Sequence, residues 1–212
     1  MSKVRSGTES EVIWIGPSKC DELRAAREER LKNAWHILVS CRRFTDMYLI
    51  IGSDIDLFRE ALSCYQNGAF MAAILMCGVV LESLLYDLTS AIKGKVMCDR
   101  QGRIWSVELD NTVYNLKFGR VIEEAKKIKL INGKLEAKIN DVRNLRNIVA
   151  HYAQRLRKEL SKTLDRSKEL ELLVARKGWA SDREAYNALE KTAKITRILI
   201  EKAHSILCES SI

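Results

Sequence analysis

Between Ala69 and about Lys93 the chain reads as a helix that is apolar nearly all round. A helix without a polar face is stable in water only when other elements wrap it, so the rest of the chain has to supply a shell. One Pro and ten Gly in 212 residues leave little material for turns. Strands need many turns, so this scarcity favours a few long helices. The longest unbroken apolar stretch, AFMAAILMCGVVL, has thirteen residues, short of the roughly 20 a helix needs to span a bilayer. The segment is therefore expected to be the centre of a bundle rather than a membrane anchor, and no membrane partner is expected. Glu82 interrupts it in VVLESLLY. A carboxylate there is costly without a partner.

The spacing predicts an all-α, up-and-down bundle of about five to six helices. Apolar residues Leu23, Leu31, Trp35, Leu38, Phe44 and Tyr48 recur at helical intervals, predicting one long helix from Asp21 to about Ile51, ended near Gly52. Ser53 or Asp54 is expected to cap a second helix running to Gln66. Residues 94–112 break the pattern, and alternation around Arg100-Gln101-Gly102 suggests a small hairpin or ordered loop. A fourth helix is expected from about Thr112 to Lys129, with Asn132-Gly133 ending it. A fifth begins near Lys134. Ser181 to Glu184 has the S-x-x-E form of a capping box, opening a last helix with Leu189, Ile195, Ile198, Leu199, Ala203 and Ile206 inward. The domain reading is a loosely structured segment over 1–19, then one helical domain over 20–212 whose region 153–209 is a C-terminal helical extension.

Six scattered cysteines (Cys20, Cys41, Cys64, Cys77, Cys98, Cys208) form no C-x-x-C pair and no Cys/His cluster. That spacing suits neither a disulfide framework nor a zinc site, and Cys77 reads as a small core residue. No metal or other cofactor is expected. The N-terminus lacks the apolar run of a secretory signal, so the cytoplasm is the expected compartment. The net charge of +8 and pI of about 9.2 draw such a chain towards polyanions, RNA among them. Trp14, Trp35, Trp105 and Trp179 are spread apart, which argues against a stacking platform for single-stranded RNA.

RNIVAH, residues Arg146 to His151, places an Arg, an Asn and a His in the fifth helix. At about 100° per residue, one side of that helix collects Val142, Leu145, Val149, Tyr152, Leu156 and Leu160, a core stripe. The other collects Arg143, Asn147, His151, Gln154 and Lys158. Asn147 and His151, four apart, are neighbours. Arg146 and His151, five apart, lie about 140° from each other and flank the polar face. A tight pair needs a bent helix, or a second copy supplying the missing partner.

The RNxxxH string, late in a helical chain, resembles the R-x(4–6)-H signature of the HEPN superfamily. CYQNGAFMAAILMCGVVLESLLYDL resembles the helix pair that precedes it in one branch, where a Tyr-x-x-Gly turn leads into an apolar helix containing a Glu. The resemblance covers about half of the chain, over residues 58–152. It implies a helical bundle that dimerises through the motif helix and gathers two Arg and two His in one cleft. Active members are metal-independent endoribonucleases, many of them toxins or defence proteins. The signature positions fall on Arg146 and His151, the following polar position on Asn147 and the acidic position on Glu82.

The chemistry suits those residue types. RNA carries its own nucleophile, the 2′-OH, so no metal-bound water is needed. His151 is expected to transfer protons, Arg146 to bind the phosphate, and Asn147 to orient His151 or the RNA. Glu82 is expected to anchor Arg146 by a salt bridge or to tune His151. Arg143, Gln154 and Lys158 are expected to line the approach, although solvation alone also explains charges on a polar face. Two other readings stand beside this one: a non-catalytic HEPN module that binds RNA or docks a protein, and a helical oligomer whose charged 153–177 stretch meets an acidic partner. An antitoxin or effector protein is a further expected partner.

Overall fold

The computed structural model describes residues 17–151 and 181–209. Six α-helices and one hairpin are present among them: α1 (Pro17–Val39), α2 (Tyr48–Gln66), α3 (Phe70–Lys93), β1 (Lys95–Cys98), β2 (Ile104–Glu108), α4 (Phe118–Lys127), α5 (Gly133–Ala150) and α6 (Asp182–Glu209). A 3₁₀ turn over Asn111–Asn115 precedes α4. The architecture is an all-α bundle with a small two-stranded insertion, as the periodicity predicted.

α3 is the centre. It packs against α2, α4, α5 and α6, and Ala73, Ile74, Cys77, Leu84, Leu85 and Leu88 are fully buried. By length and composition it could cross a membrane, but half of that stretch is buried inside this fold. Its polar interruptions face neighbours: Glu82 meets α5, while Ser90 hydrogen-bonds Asp110 beyond the hairpin. Gly94 ends the helix where it meets β2, because a Cβ there would lie 2.0 Å from the Glu108 carbonyl oxygen.

The long helix expected from Asp21 to Ile51 is two helices. α1 stops at Val39 and α2 starts at Tyr48. The intervening turn is held by short-range backbone bonds from Cys41 to Leu38, Phe44 to Cys41 and Met47 to Arg43. Leu38 at the end of α1 and Cys41 and Met47 in the turn are buried. A turn this tight preserves helical spacing of its apolar residues, which is why periodicity ran straight through it. Gly52 is then interior to α2, and Asp54 is a buried residue of that helix rather than its cap.

The expected fourth helix is likewise divided into the 3₁₀ turn and the shorter α4. Asp110 caps the turn, accepting from the Thr112 backbone N–H at 3.0 Å. Asn132 opens α5, its Oδ1 accepting from the Leu135 N–H at 3.0 Å. β1 and β2 pair antiparallel with an irregularity between Met97 and Cys98.

α6 is part of the core rather than an extension. Leu189, Ile195, Leu199, Ile200 and Ala203 are buried against α3 and α1. The capping box forms: Glu184 Oε2 accepts from the Ser181 N–H at 2.8 Å, and Ser181 Oγ accepts from the Glu184 N–H at 3.2 Å. Asp182 in the first turn accepts from Tyr65 Oη of α2 at 2.5 Å and from Arg30 of α1 at 2.8 Å, tying three helices at one carboxylate.

Candidate functional site

α5 lays Leu135, Ile139 and Val142 on the core, and this sets its rotation. Arg143, Asn147 and His151 then fall away from the core, and Arg146 falls at the seam with α3. Gly78 lets the seam close. A Cβ on Gly78 would meet Arg146 Cγ at 2.7 Å and Cβ at 2.9 Å, so the arginine stem lies where a side chain would otherwise be. One turn further along α3, Glu82 Oε2 accepts a hydrogen bond from Arg146 Nη2 at 2.5 Å. Asn147 Oδ1 accepts from Nη1 at 3.2 Å. The guanidinium thus has two acceptors fixed by different helices. The pair is not sealed from water: the Arg146 and Glu82 side chains are 28% and 32% exposed, so a ligand can reach the charge.

His151 is the C-cap of α5, with φ −96° and ψ 4°, its backbone N–H bonded to the Asn147 carbonyl at 3.0 Å. Its side chain is exposed. Asn147 is turned to Arg146, and within the described residues no side-chain hydrogen bond joins His151 to Arg146, Asn147 or Glu82. Arg143 stacks its guanidinium over the Phe118 ring of α4 at 5.2 Å while remaining exposed. Gln154 and Lys158 lie outside the described residues, as do Tyr152, Leu156 and Leu160 of the expected stripe and all of the 153–177 stretch.

Gly78, Glu82 and Tyr86 stand four apart on α3 and form its stripe along the seam. Tyr86 is pushed above the usual phenol range by burial and then by the Glu82 carboxylate. Its Oη donates to the Leu116 carbonyl at 2.6 Å, and its ring stacks on Tyr114 and tilts against Phe118. An aromatic bank therefore closes the seam at the Arg143 end. Sequence reading named neither Gly78 nor this bank. The recoverable signal was the four-residue spacing of Gly78, Glu82 and Tyr86, which aligns a gap, a charge and a ring on one helix face.

Residues 59–206 match the family model described as a domain of unknown function, DUF4145. The chain belongs to the DUF4145 family. The match begins in α2 and reaches almost to the end of α6, so the seam and the helices that position it all lie within the DUF4145 domain. No curated protein and no solved structure matches the chain.

Proposed function

We propose that this DUF4145 chain is a metal-independent endoribonuclease of the HEPN type, acting as a dimer with a toxin or antiviral defence role. The observation that carries the reading is the seating of Arg146: its stem crosses Gly78, its head rests on Glu82 and Asn147, and the exposed His151 ends the same helix. A cation held this firmly and still open to water is suited to phosphate.

In the proposed reaction Arg146 binds the non-bridging oxygens of a phosphodiester. The 2′-OH attacks phosphorus in line as His151 takes its proton. The bond from phosphorus to the 5′ oxygen breaks, and a protonated His from the second copy supplies the proton to that oxygen. The products are a 2′,3′-cyclic phosphate and a 5′-OH. Dimerisation is supported by Val79 beside Gly78 and Ile148 beside Asn147, which are 39% and 49% exposed. Such an apolar pair flanking the charged seam suits burial against a second copy. An acidic antitoxin is the partner that a basic nuclease of this kind calls for, and the cytoplasm holds its substrate.

One observation favours a second reading, a non-catalytic HEPN module that binds RNA or docks a protein. Both terminal nitrogens of Arg146 already have acceptors inside the chain, which is what a purely architectural arginine needs. The deciding experiment is cleavage of labelled total tRNA and a long mRNA in excess EDTA, native chain against His151→Ala, with product ends mapped. Metal-free cleavage that leaves cyclic phosphates and is lost in the variant supports the nuclease. Intact RNA with a folded dimer moves the reading to the binding module.

A further inference from the structure

The hairpin and the last turn of α6 bring together two cysteines that stand 110 positions apart. Cys98 ends β1 and Cys208 lies on α6, and their sulfurs are 3.1 Å apart as free thiols. Both are partly accessible, whereas Cys41 and Cys77 are buried. Approach of this kind is not incidental packing of two exposed side chains, because the loop between the strands is seated on the helix. His204, one turn before Cys208 and 5% exposed, has Nε2 2.8 Å from the Gly102 carbonyl oxygen and 3.6 Å from Cys208 Sγ. Gly102 has φ +78°, and a Cβ there would meet the His204 ring at 3.3 Å. The loop can come this close because that position is glycine.

A cleft of about 460 Å³ opens beside the sulfurs, lined also by Arg43, Asp99, Arg100 and Gln101. It admits a small polar oxidant to both thiols. We propose that Cys98 and Cys208 are a peroxide-responsive pair that closes to a disulfide and clasps the hairpin to α6.

The two thiols have different parts. Burial, reinforced by Cys98, pushes Cys208 up to about 12, so it stays protonated at neutral pH. Cys98, on the hairpin wall of the cleft, is the sulfur proposed to meet peroxide first. The Cys98 thiolate attacks one peroxide oxygen, the O–O bond breaks and hydroxide leaves, giving a sulfenic acid. The Cys208 sulfur then attacks the Cys98 sulfur. The S–O bond breaks, and the Cys208 proton leaves in the water formed. Two thiols and one hydrogen peroxide become one disulfide and two waters. Arg43, which lines the cleft, favours the negative charge that develops on Cys208 sulfur. This inference is independent of the nuclease reading, because it uses different elements and a different readout.

The test uses the full chain, reduced, freed of reductant and exposed to a few equivalents of hydrogen peroxide. Peptide mapping without reduction is expected to find Cys98 joined to Cys208 within one chain. The bridge closes a loop of about 110 residues, so the oxidised chain is expected to melt roughly 5–10 °C higher, reversed by dithiothreitol. Cys208→Ser should instead leave a sulfenic acid on Cys98 that dimedone traps. Bridges only between chains, or overoxidised Cys98 with Cys208 still a thiol, would overturn the proposal. So would alkylation of both thiols that is blocked until a chelator is added, since the pair would then be holding a metal ion. Mapping the native chain needs no variant, so misfolding of Cys208→Ser cannot hide the result.

Discussion

The stem of Arg146 occupies the space that a side chain on Gly78 would need, with Cγ 2.7 Å from where a Cβ would stand. Gly78→Ala therefore has to move the arginine or the helix that carries it. Overpacking of this kind costs about 1–3 kcal/mol, offset by the ~1 kcal/mol that Ala gains over Gly inside a helix. A net loss of up to about 2 kcal/mol is expected in urea unfolding. In an Arg146→Ala background the clash is gone and the same change should be neutral or stabilising. That reversal of sign, read from a double-mutant cycle, separates close approach from any other role of Gly78.

Glu82→Gln keeps the shape of the acceptor and removes its charge. The ion pair is partly exposed on both sides, so its loss should cost only about 1 kcal/mol of stability. Under the nuclease reading, RNA cleavage should fall by about tenfold or more, because Arg146 loses its anchor. His151→Ala should reduce cleavage by about 10²-fold or more while leaving stability within roughly 0.5 kcal/mol, since the residue is an exposed cap. Equal losses of stability and cleavage would mark these residues as architectural.

Asp54 predicts a pH dependence. It is wholly buried on α2, and neither carboxylate oxygen has a hydrogen-bond partner within the described residues. Burial pushes it up to about 7, with the nearby Ser83 hydroxyl opposing and the Asp87 carboxylate reinforcing the shift. The folded chain thus holds a proton that the unfolded chain releases near pH 4. Its contribution to stability is full below about pH 4, falls as pH rises, and is lost above about 7. The loss amounts to roughly 4 kcal/mol at most. Asp54→Asn should remove most of this slope, and the variant should be the more stable chain at pH 8, measured by urea unfolding across the range.

Ser181→Ala removes one half of the capping box, leaving the first N–H groups of α6 without Oγ. A loss of about 1 kcal/mol is expected. Because α6 is built into the core, the loss should appear in the global unfolding transition and not as local fraying.

The parts of the fold that were legible beforehand share one property. α3 was plain because an all-apolar helix has one possible environment, and the capping box because its chemistry is local. The turn between α1 and α2 was hidden, since Leu38, Cys41 and Met47 keep helical intervals through a bend. Asp54 looked like a cap because a short acid beside Gly52 normally is one, and only packing against α3 reveals it as a buried acid. At the site, the cost of a lone carboxylate marked Glu82 as needing a partner, and the resemblance pointed to Arg146 or His151 as that partner. Gly78 could not be singled out, because a glycine that admits a neighbour's stem leaves no mark until the neighbour is placed. Cys98 and Cys208 were unreadable as a pair for the same reason: nothing local relates a strand end to a helix 110 residues away.

The dependence of α3 on α6 also has a consequence in time. During synthesis α3 is complete about ninety residues before α6 begins, and at ordinary translation rates that interval lasts roughly 5–20 s. Throughout it the most apolar segment of the nascent chain lacks the cover that α6 later supplies. Synthesis is thus an interval in which an apolar face of α3 stands open, and a chaperone that shelters α3 on the ribosome would guard the face that α6 covers in the finished bundle.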